Sequence, residues 1–442
     1  MKRIGIGLLG FGTVGAGVVE GLQRNGRLIA DRLGMKLEIR RIADIDLKRD
    51  RGVKVDRSIL TTDAEGVIED ASVDIVIELV GGTGVARKFI RKALSLGKPV
   101  VTANKALLAE YGEEIFGLSE QKNADLYFEA SVGGGIPIIR ALREGLVANR
   151  IESIYGILNG TCNYILTRME RDRLPFDEVL ADAQRQGYAE ANPALDVDGH
   201  DTAHKAVILA SLAYGFHIPM KAVYTEGIRK VTETDIEYAR DLGYRIKMLA
   251  VVKHVEREIE IRVQPTLVPR RHMLASVDGV YNAILVDGDV VGSTLYYGRG
   301  AGRQPTASAV ISDLGDAARN LAFGSTRRVP ALTRHEHYGR IRGIGEIEAR
   351  YYMRLLLLDK PGVLGRLASV LGRHGISIAS VIQKEARAFE HVPVVIVTHR
   401  AKERKFEAAI RDIGSLRIVS GEITRLRIED IGEDEGKPAA RG

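Results

Sequence analysis

Residues 187–205 read GYAEANPALDVDGHDTAHK, where Glu190, Asp196, Asp198 and Asp201 precede a single lysine, Lys205. Acids gathered so closely are costly neighbours unless they share a cation. The ammonium group of an amino acid is one candidate. Acids also hold a lysine protonated, and a charged lysine can donate a proton to a forming alkoxide. A dehydrogenase needs such a group opposite its hydride donor. GHDTAHKAVILASLAYG reads as a helix, with Ala203, Ala206, Val207 and Ala210 on one apolar face. Asp201 and Lys205 lie four apart on another face, in the favourable order for an ion pair. The plain alternative is a surface pair worth ~0.2–0.5 kcal/mol. His204 points about 100° away from Lys205 on such a helix, which favours solvent or packing over chemistry.

A second constellation opens the chain. In GFGTVG, Gly10, Gly12 and Gly15 fit G-x-G-x-x-G, with Phe11, Thr13 and Val14 between them. An apolar run precedes the motif and a helical pattern follows it. Glycines there allow a tight turn, close approach to a pyrophosphate and helix–strand packing, and the helix N-terminus favours phosphate charge. Asp44, after the second apolar run, is placed to hold a ribose and favours NAD. Arg40, Arg41, Lys48 and Arg49 lie close by and leave NADP open. The sole cysteine, Cys162, allows two readings: a small buried thiol, or a nucleophile that oxidises an aldehyde through a thioester.

These residues need elements to position them. Runs at 3–9, 36–43, 74–80, 98–104 and 123–131 read as strands alternating with helices, which predicts a parallel, doubly wound α/β sheet. After residue 132 the pattern changes. Helical periodicity dominates 161–248, with strands at 151–158 and between 244 and 298. A second Gly-rich turn, GRGAGRQPTASAV, opens a helix near 306–322 that returns to the first domain. From residue 350 the order is βαββαβ, a ferredoxin-like plan. The expected layout is a dinucleotide-binding domain at 1–132, completed by 300–325, and an α+β substrate and dimerisation domain at 133–299. A linker at 326–349, a regulatory unit at 350–430 and a disordered tail at 431–442 follow.

Composition narrows the class. The chain has 442 residues, with 45% hydrophobic and 28% charged, as in ordinary globular proteins. No apolar run is long enough to cross a membrane. The net charge of +6 is spread among acids without a basic–aromatic stripe, which argues against a nucleic-acid partner. One cysteine fits a reducing cytoplasm.

Motif order adds a resemblance. The stretch A-x-x-x-G-Y-x-E-x-N-P-x-x-D-V-x-G-x-D-x-x-x-K from Ala183 to Lys205 resembles homoserine dehydrogenases. GFGTVGAGVV, TANK at 102–105, EASVGGGIPI at 129–138, NGTCNYIL at 159–166, EGIRKV at 226–231 and GRGAGRQPTASAV resemble the same family in order, over about residues 1–325. The resemblance implies a Rossmann domain and reversible NAD(P)-dependent reduction of L-aspartate 4-semialdehyde to L-homoserine, in threonine, methionine and isoleucine biosynthesis. It implies Lys205 as proton donor and acceptor, and Glu190, Asp196, Asp201 and Lys105 at the substrate. It places Lys105 at the cofactor junction, where it rivals Lys205 as acid–base group, and Gly302 beside the cofactor. Glu129, Val132, Gly134 and Ile136 match a monovalent-cation site, with sodium as the ion, built mainly from backbone carbonyls; a Gly-rich strand-to-helix turn with no ion is the alternative. DKPGVLGRLASVLGRHGISI is similar to the opening of ACT-type regulatory domains. That likeness implies edge-to-edge pairing, a homodimer or homotetramer, and threonine as effector; a dimerisation module without effector is the alternative. Beside the Cys162 enzyme, the non-catalytic rival is an amino-acid sensor that keeps the dinucleotide fold as scaffold.

Overall fold

The computed structural model describes residues 1–335, 340–384 and 391–431. Its first sheet follows from short, continuous apolar runs, because a strand covered by helices on both faces has no polar side. Strands β1 (Lys2–Leu9), β2 (Met35–Ala43), β3 (Leu60–Thr61), β4 (Ile75–Glu78), β5 (Val100–Thr102) and β6 (Leu126–Tyr127) form it. All pair in parallel, in the order β3-β2-β1-β4-β5-β6. The order reverses between β1 and β4, where doubly wound sheets open a ligand crevice. Ile4, Ile6 and Leu8 of β1 pack with Val18, Ile42, Ile75 and Val101. The helix Arg303–Phe323 adds Ala307, Val310, Leu314 and Ala317 to that core.

The second sheet starts with β7 (Ile151–Ile157), β8 (Tyr224–Thr225), β9 (Tyr244–Val255), β10 (Glu258–Pro269), β11 (Tyr281–Gly288) and β12 (Gly292–Arg299). Helices Gly160–Asp172, Phe176–Arg185 and His200–Tyr214 belong to the same part of the chain. The C-terminal unit supplies β14 (Glu348–Leu358), β15 (Ile378–Gln383), β16 (His391–Thr398), β17 (Ala401–Lys402) and β18 (Val419–Ile428), with helices Val363–Arg373 and Glu403–Gly414. Its four long strands run β18-β14-β16-β15.

Besides the extra strand β3, two features depart from the sequence reading. The C-terminal unit is not a separate sheet. Strand β18 pairs in parallel with β10 at Thr266–Arg427 and Leu267–Ile428, so one sheet runs from β12 to β15. The stretch read as a linker carries β13 (Arg340–Ile341), paired with β10, and a short turn at Ile344–Glu346. Arg143 also donates to the carbonyls of Val329 and Pro330, tying that stretch to the body. Within the expected linker, residues 336–339 lie outside the described residues, as does 432–442 of the expected tail.

Candidate active site

The glycine turn sits between β1 and the helix Thr13–Leu33. Gly10 has φ +93°, and a Cβ on it would lie 2.6 Å from the Leu79 carbonyl carbon, so only glycine fits where the β1 and β4 turns meet. A Cβ on Gly15 would lie 2.3 Å from the Gly10 oxygen. Over Gly12 the space is open, with nothing within 4 Å of a Cβ, and no side chain caps the helix. An uncapped helix start facing open space suits a pyrophosphate. Phe11, Thr13 and Val14 complete the turn.

Asp44 is more committed than the sequence suggests. Its Oδ2 accepts the Phe11 N–H at 2.6 Å, and its Oδ1 accepts the Asp46 N–H at 2.9 Å and Arg51 Nη2 at 3.2 Å. It therefore fixes the glycine turn directly. Arg40 and Arg41 pair elsewhere, with Glu38 and Asp70. Arg51, which sequence reading passed over, is the guanidinium beside Asp44. Glu78 was also missed. Buried at the end of β4, it accepts the N–H groups of Val80 and Gly81 at 2.8 and 2.9 Å and the Thr102 hydroxyl at 2.7 Å, and so shapes the opposite turn. Its signal was an acid ending an otherwise apolar strand.

The lysine cluster joins the helix that follows β5 to the helix His200–Tyr214. Lys205 Nζ donates to the Leu158 carbonyl and to Asp201 Oδ2, both at 2.6 Å. Lys105, first residue of the helix Lys105–Gln121, reaches Asp201 Oδ1 at 3.2 Å. Asn159 Nδ2 donates to Asp196 Oδ1 at 2.7 Å and to Asp201 Oδ2 at 2.8 Å. Burial would raise the Asp201 carboxyl, but the charges of Lys205 and Lys105 and the hydrogen bonds from Lys205 and Asn159 outweigh it, and Asp201 stays ionised far into acid. Burial raises the Asp196 carboxyl; the Asn159 bond opposes and the Asp201 charge adds.

Two of the four acids gather here and two do not. Asp198 turns away to pair with Arg229. Glu190 is exposed on the turn that precedes Asn192-Pro193, with no hydrogen bond from its carboxylate to the cluster among the described residues. The surface-pair alternative for Asp201 and Lys205 fails, since both are buried. His204 lies 3.8 Å from Glu110, outside the cluster. Cys162 is fully buried, its Sγ–H donates to the Asp196 carbonyl at 3.2 Å, and burial pushes the thiol well up, so it is not a nucleophile.

The second Gly-rich turn packs against Gly134 and Gly135. Gly302, with φ +121°, caps the helix Arg303–Phe323. Gly134, with φ +57°, packs so closely that a Cβ would lie 2.6 Å from the Gly300 carbonyl carbon. Asn282 donates to the Leu158 carbonyl at 2.9 Å, and its own Oδ1 is buried without a partner among the described residues. Glu129 spends both oxygens on the N–H groups of Ile139 and Arg140, at 2.8 Å each. The Ile136 carbonyl accepts the Ile138 N–H at 2.8 Å, whereas those of Val132 and Gly134 take no backbone N–H among the described residues.

Three family models match in chain order: the homoserine dehydrogenase NAD-binding domain at residues 10–129, homoserine dehydrogenase at 137–314 and the ACT domain at 351–415. The homoserine dehydrogenase of Neisseria gonorrhoeae is 45% identical over 434 residues, covering 98% of this chain and all of the relative. This chain belongs to the homoserine dehydrogenase family. The crystal structure of a homoserine dehydrogenase from Thiobacillus denitrificans superposes with a TM-score of 0.92 at 45% identity, covering 98% of this chain and 99% of that one. A hyperthermophilic archaeal homoserine dehydrogenase mutant, solved in complex with NADPH, has a TM-score of 0.62 at 27% identity, over 72% of this chain and 98% of that one. As a homoserine dehydrogenase, the protein is an NAD(P)-dependent oxidoreductase acting on a CH–OH group. Among the described residues no helix is long and apolar enough to cross a membrane.

Proposed function

We propose that Lys205 is the acid–base group for interconversion of L-homoserine and L-aspartate 4-semialdehyde. The observation that carries this reading is the pair of 2.6 Å bonds that fix Lys205 Nζ between the Leu158 carbonyl and Asp201. Both bonds use N–H donors, so a neutral amine keeps them and aims its lone pair at a substrate hydroxyl. In homoserine oxidation Lys205 takes the hydroxyl proton as the carbonyl forms; in reduction it returns that proton to the oxygen. The dinucleotide supplies the hydride chemistry at nicotinamide C4. Asp201, held ionised between two lysines, steadies the ammonium form of Lys205 after proton transfer. Lys105 shares Asp201 but lies farther, at 3.2 Å, and we assign it to positioning at the cofactor junction. Asp196 takes the substrate ammonium, and Glu190 adds negative charge at the exposed rim.

The glycine turn and the start of the helix Thr13–Leu33 fit the pyrophosphate, with Gly302 across from them. Arg51 neutralises the Asp44 carboxylate that would otherwise repel a 2′-phosphate, which supports use of NADP as well as NAD. For the cation, the Val132 and Gly134 carbonyls suit a hard ion such as sodium. The Glu129 carboxylate and the Ile136 carbonyl are already engaged and fit less well. The ACT-type unit supports an amino-acid effector, for which we propose threonine. Its outer strand β15 supports edge-to-edge pairing into a homodimer or homotetramer.

Steady-state homoserine oxidation with each cofactor tests this reading. Wild type should turn over with both, and Arg51→Ala should lose about tenfold more kcat/KM with NADP than with NAD. No turnover with either cofactor contradicts the assignment; equal losses contradict the role of Arg51.

A further inference from the structure

We infer that Asn159 is a positioning residue for this reaction, one amide that sets the substrate-side and lysine-side carboxylates together. The inference rests on the reading of Lys205 and Asp196 above. Asn159 is buried, and its side chain is fully used. Oδ1 accepts the Cys162 N–H at 2.8 Å, as the N-cap of the helix Gly160–Asp172. Both N–H groups of Nδ2 go to carboxylates, Asp196 Oδ1 at 2.7 Å and Asp201 Oδ2 at 2.8 Å. The cap fixes the amide's orientation, because only the oxygen can accept from Cys162 and only the nitrogen can face two acids.

The neighbouring backbone extends the arrangement. Leu158, one residue earlier, offers the carbonyl that receives Lys205 Nζ. Cys162 Sγ–H anchors the Asp196 carbonyl while Asn159 anchors its carboxylate. The segment from β7 into the helix Gly160–Asp172 thus sets the lysine amine, the carboxylate that charges it and the carboxylate assigned to the substrate ammonium. Without the amide, the buried Asp201 and the half-buried Asp196 carboxylates would face each other unbridged, and Asp196 would lose its fixed direction.

A helix cap alone does not demand asparagine. Aspartate and serine cap as well. Aspartate, however, would bring a third carboxylate against the other two, and serine has no pair of donors. Only asparagine joins one acceptor to two donors in this shape.

Asn159→Asp separates the roles, since it keeps the cap and removes the donors. We expect kcat/KM for homoserine oxidation to fall about 10²-fold, with KM for the dinucleotide within about twofold of wild type. The acid limb of the kcat/KM profile should move to higher pH, because added negative charge holds the proton on the lysine more tightly. A profile and kcat/KM within twofold of wild type would reduce Asn159 to a helix cap and overturn the inference. If Asn159→Asp does not fold, Asn159→Ser, which caps without adding charge, should raise KM for homoserine at least tenfold and leave cofactor KM in place. Unchanged homoserine kinetics in that variant overturn the inference equally. Full activity in Lys205→Ala would instead overturn the acid–base reading on which this one stands.

Discussion

At the scale of single residues, the proposed mechanism divides two carboxylates between two tasks. Asp201 is held ionised by two lysines, whereas burial raises the Asp196 carboxyl. A bound ammonium group favours the ionised form of Asp196, so substrate binding releases protons wherever Asp196 is still protonated. The sign follows: as pH falls through the raised Asp196 value, KM for homoserine should climb by about tenfold per unit, with KM for the dinucleotide unaffected. Kinetics across the acid range, with calorimetry in buffers of different ionisation enthalpy, check both parts. A flat KM across that range would remove Asp196 from the ammonium site. Lys205 and Asp201 were legible in the sequence because their pairing is local, four residues apart on one helix. Asn159 and the Leu158 carbonyl were not, because they meet Asp201 and Lys205 across more than forty residues. Asp198 misled for the opposite reason: density along the chain does not say which way a loop carboxylate turns.

At the scale of elements, the proposed substrate loop depends on a second segment packed behind it. Ile228 N–H donates to the Val197 carbonyl at 2.8 Å, and Arg229 pairs with Asp198. A Cβ on Gly227 would lie 2.3 Å from the Val197 oxygen and 2.6 Å from the Asp198 Cα. Gly227→Ala should therefore push this strap off the loop, raise KM for homoserine and cost about 1–3 kcal/mol in thermal or denaturant unfolding. Unchanged KM and stability would mean that the loop holds itself. The parallel sheet and its helices were readable because burial on both faces leaves apolar runs bounded by glycine turns. The junction of β18 with β10 was not, because a parallel pairing between distant segments leaves no local pattern.

At the scale of the whole molecule, that junction joins the ACT-type unit to the part of the chain that carries β7–β12 through buried charge. Glu429 takes Lys253 and Arg262, and Arg262 also holds Glu260 at 2.6 Å. Arg427 holds Glu403 and reaches Glu226 at 3.3 Å, at the head of the strap whose far end grips the substrate loop. A cleft of about 660 Å³ lies between strap and C-terminal strands, with Glu226 and Thr424 on its walls. If the ACT-type unit carries the threonine response, Glu226→Gln should weaken it several-fold while basal turnover stays within about twofold. Threonine titrations of homoserine oxidation with both proteins measure this; an identical response in the variant would rule out this route.

The most direct measurement is steady-state homoserine oxidation by Lys205→Ala beside wild type, with cofactor binding followed separately by fluorescence. Loss of a correctly placed acid–base group should lower kcat by about 10²-fold or more, with dinucleotide affinity preserved. A variant that oxidises homoserine at close to the wild-type rate would show that the proton leaves by another group, with Lys105 the next to test.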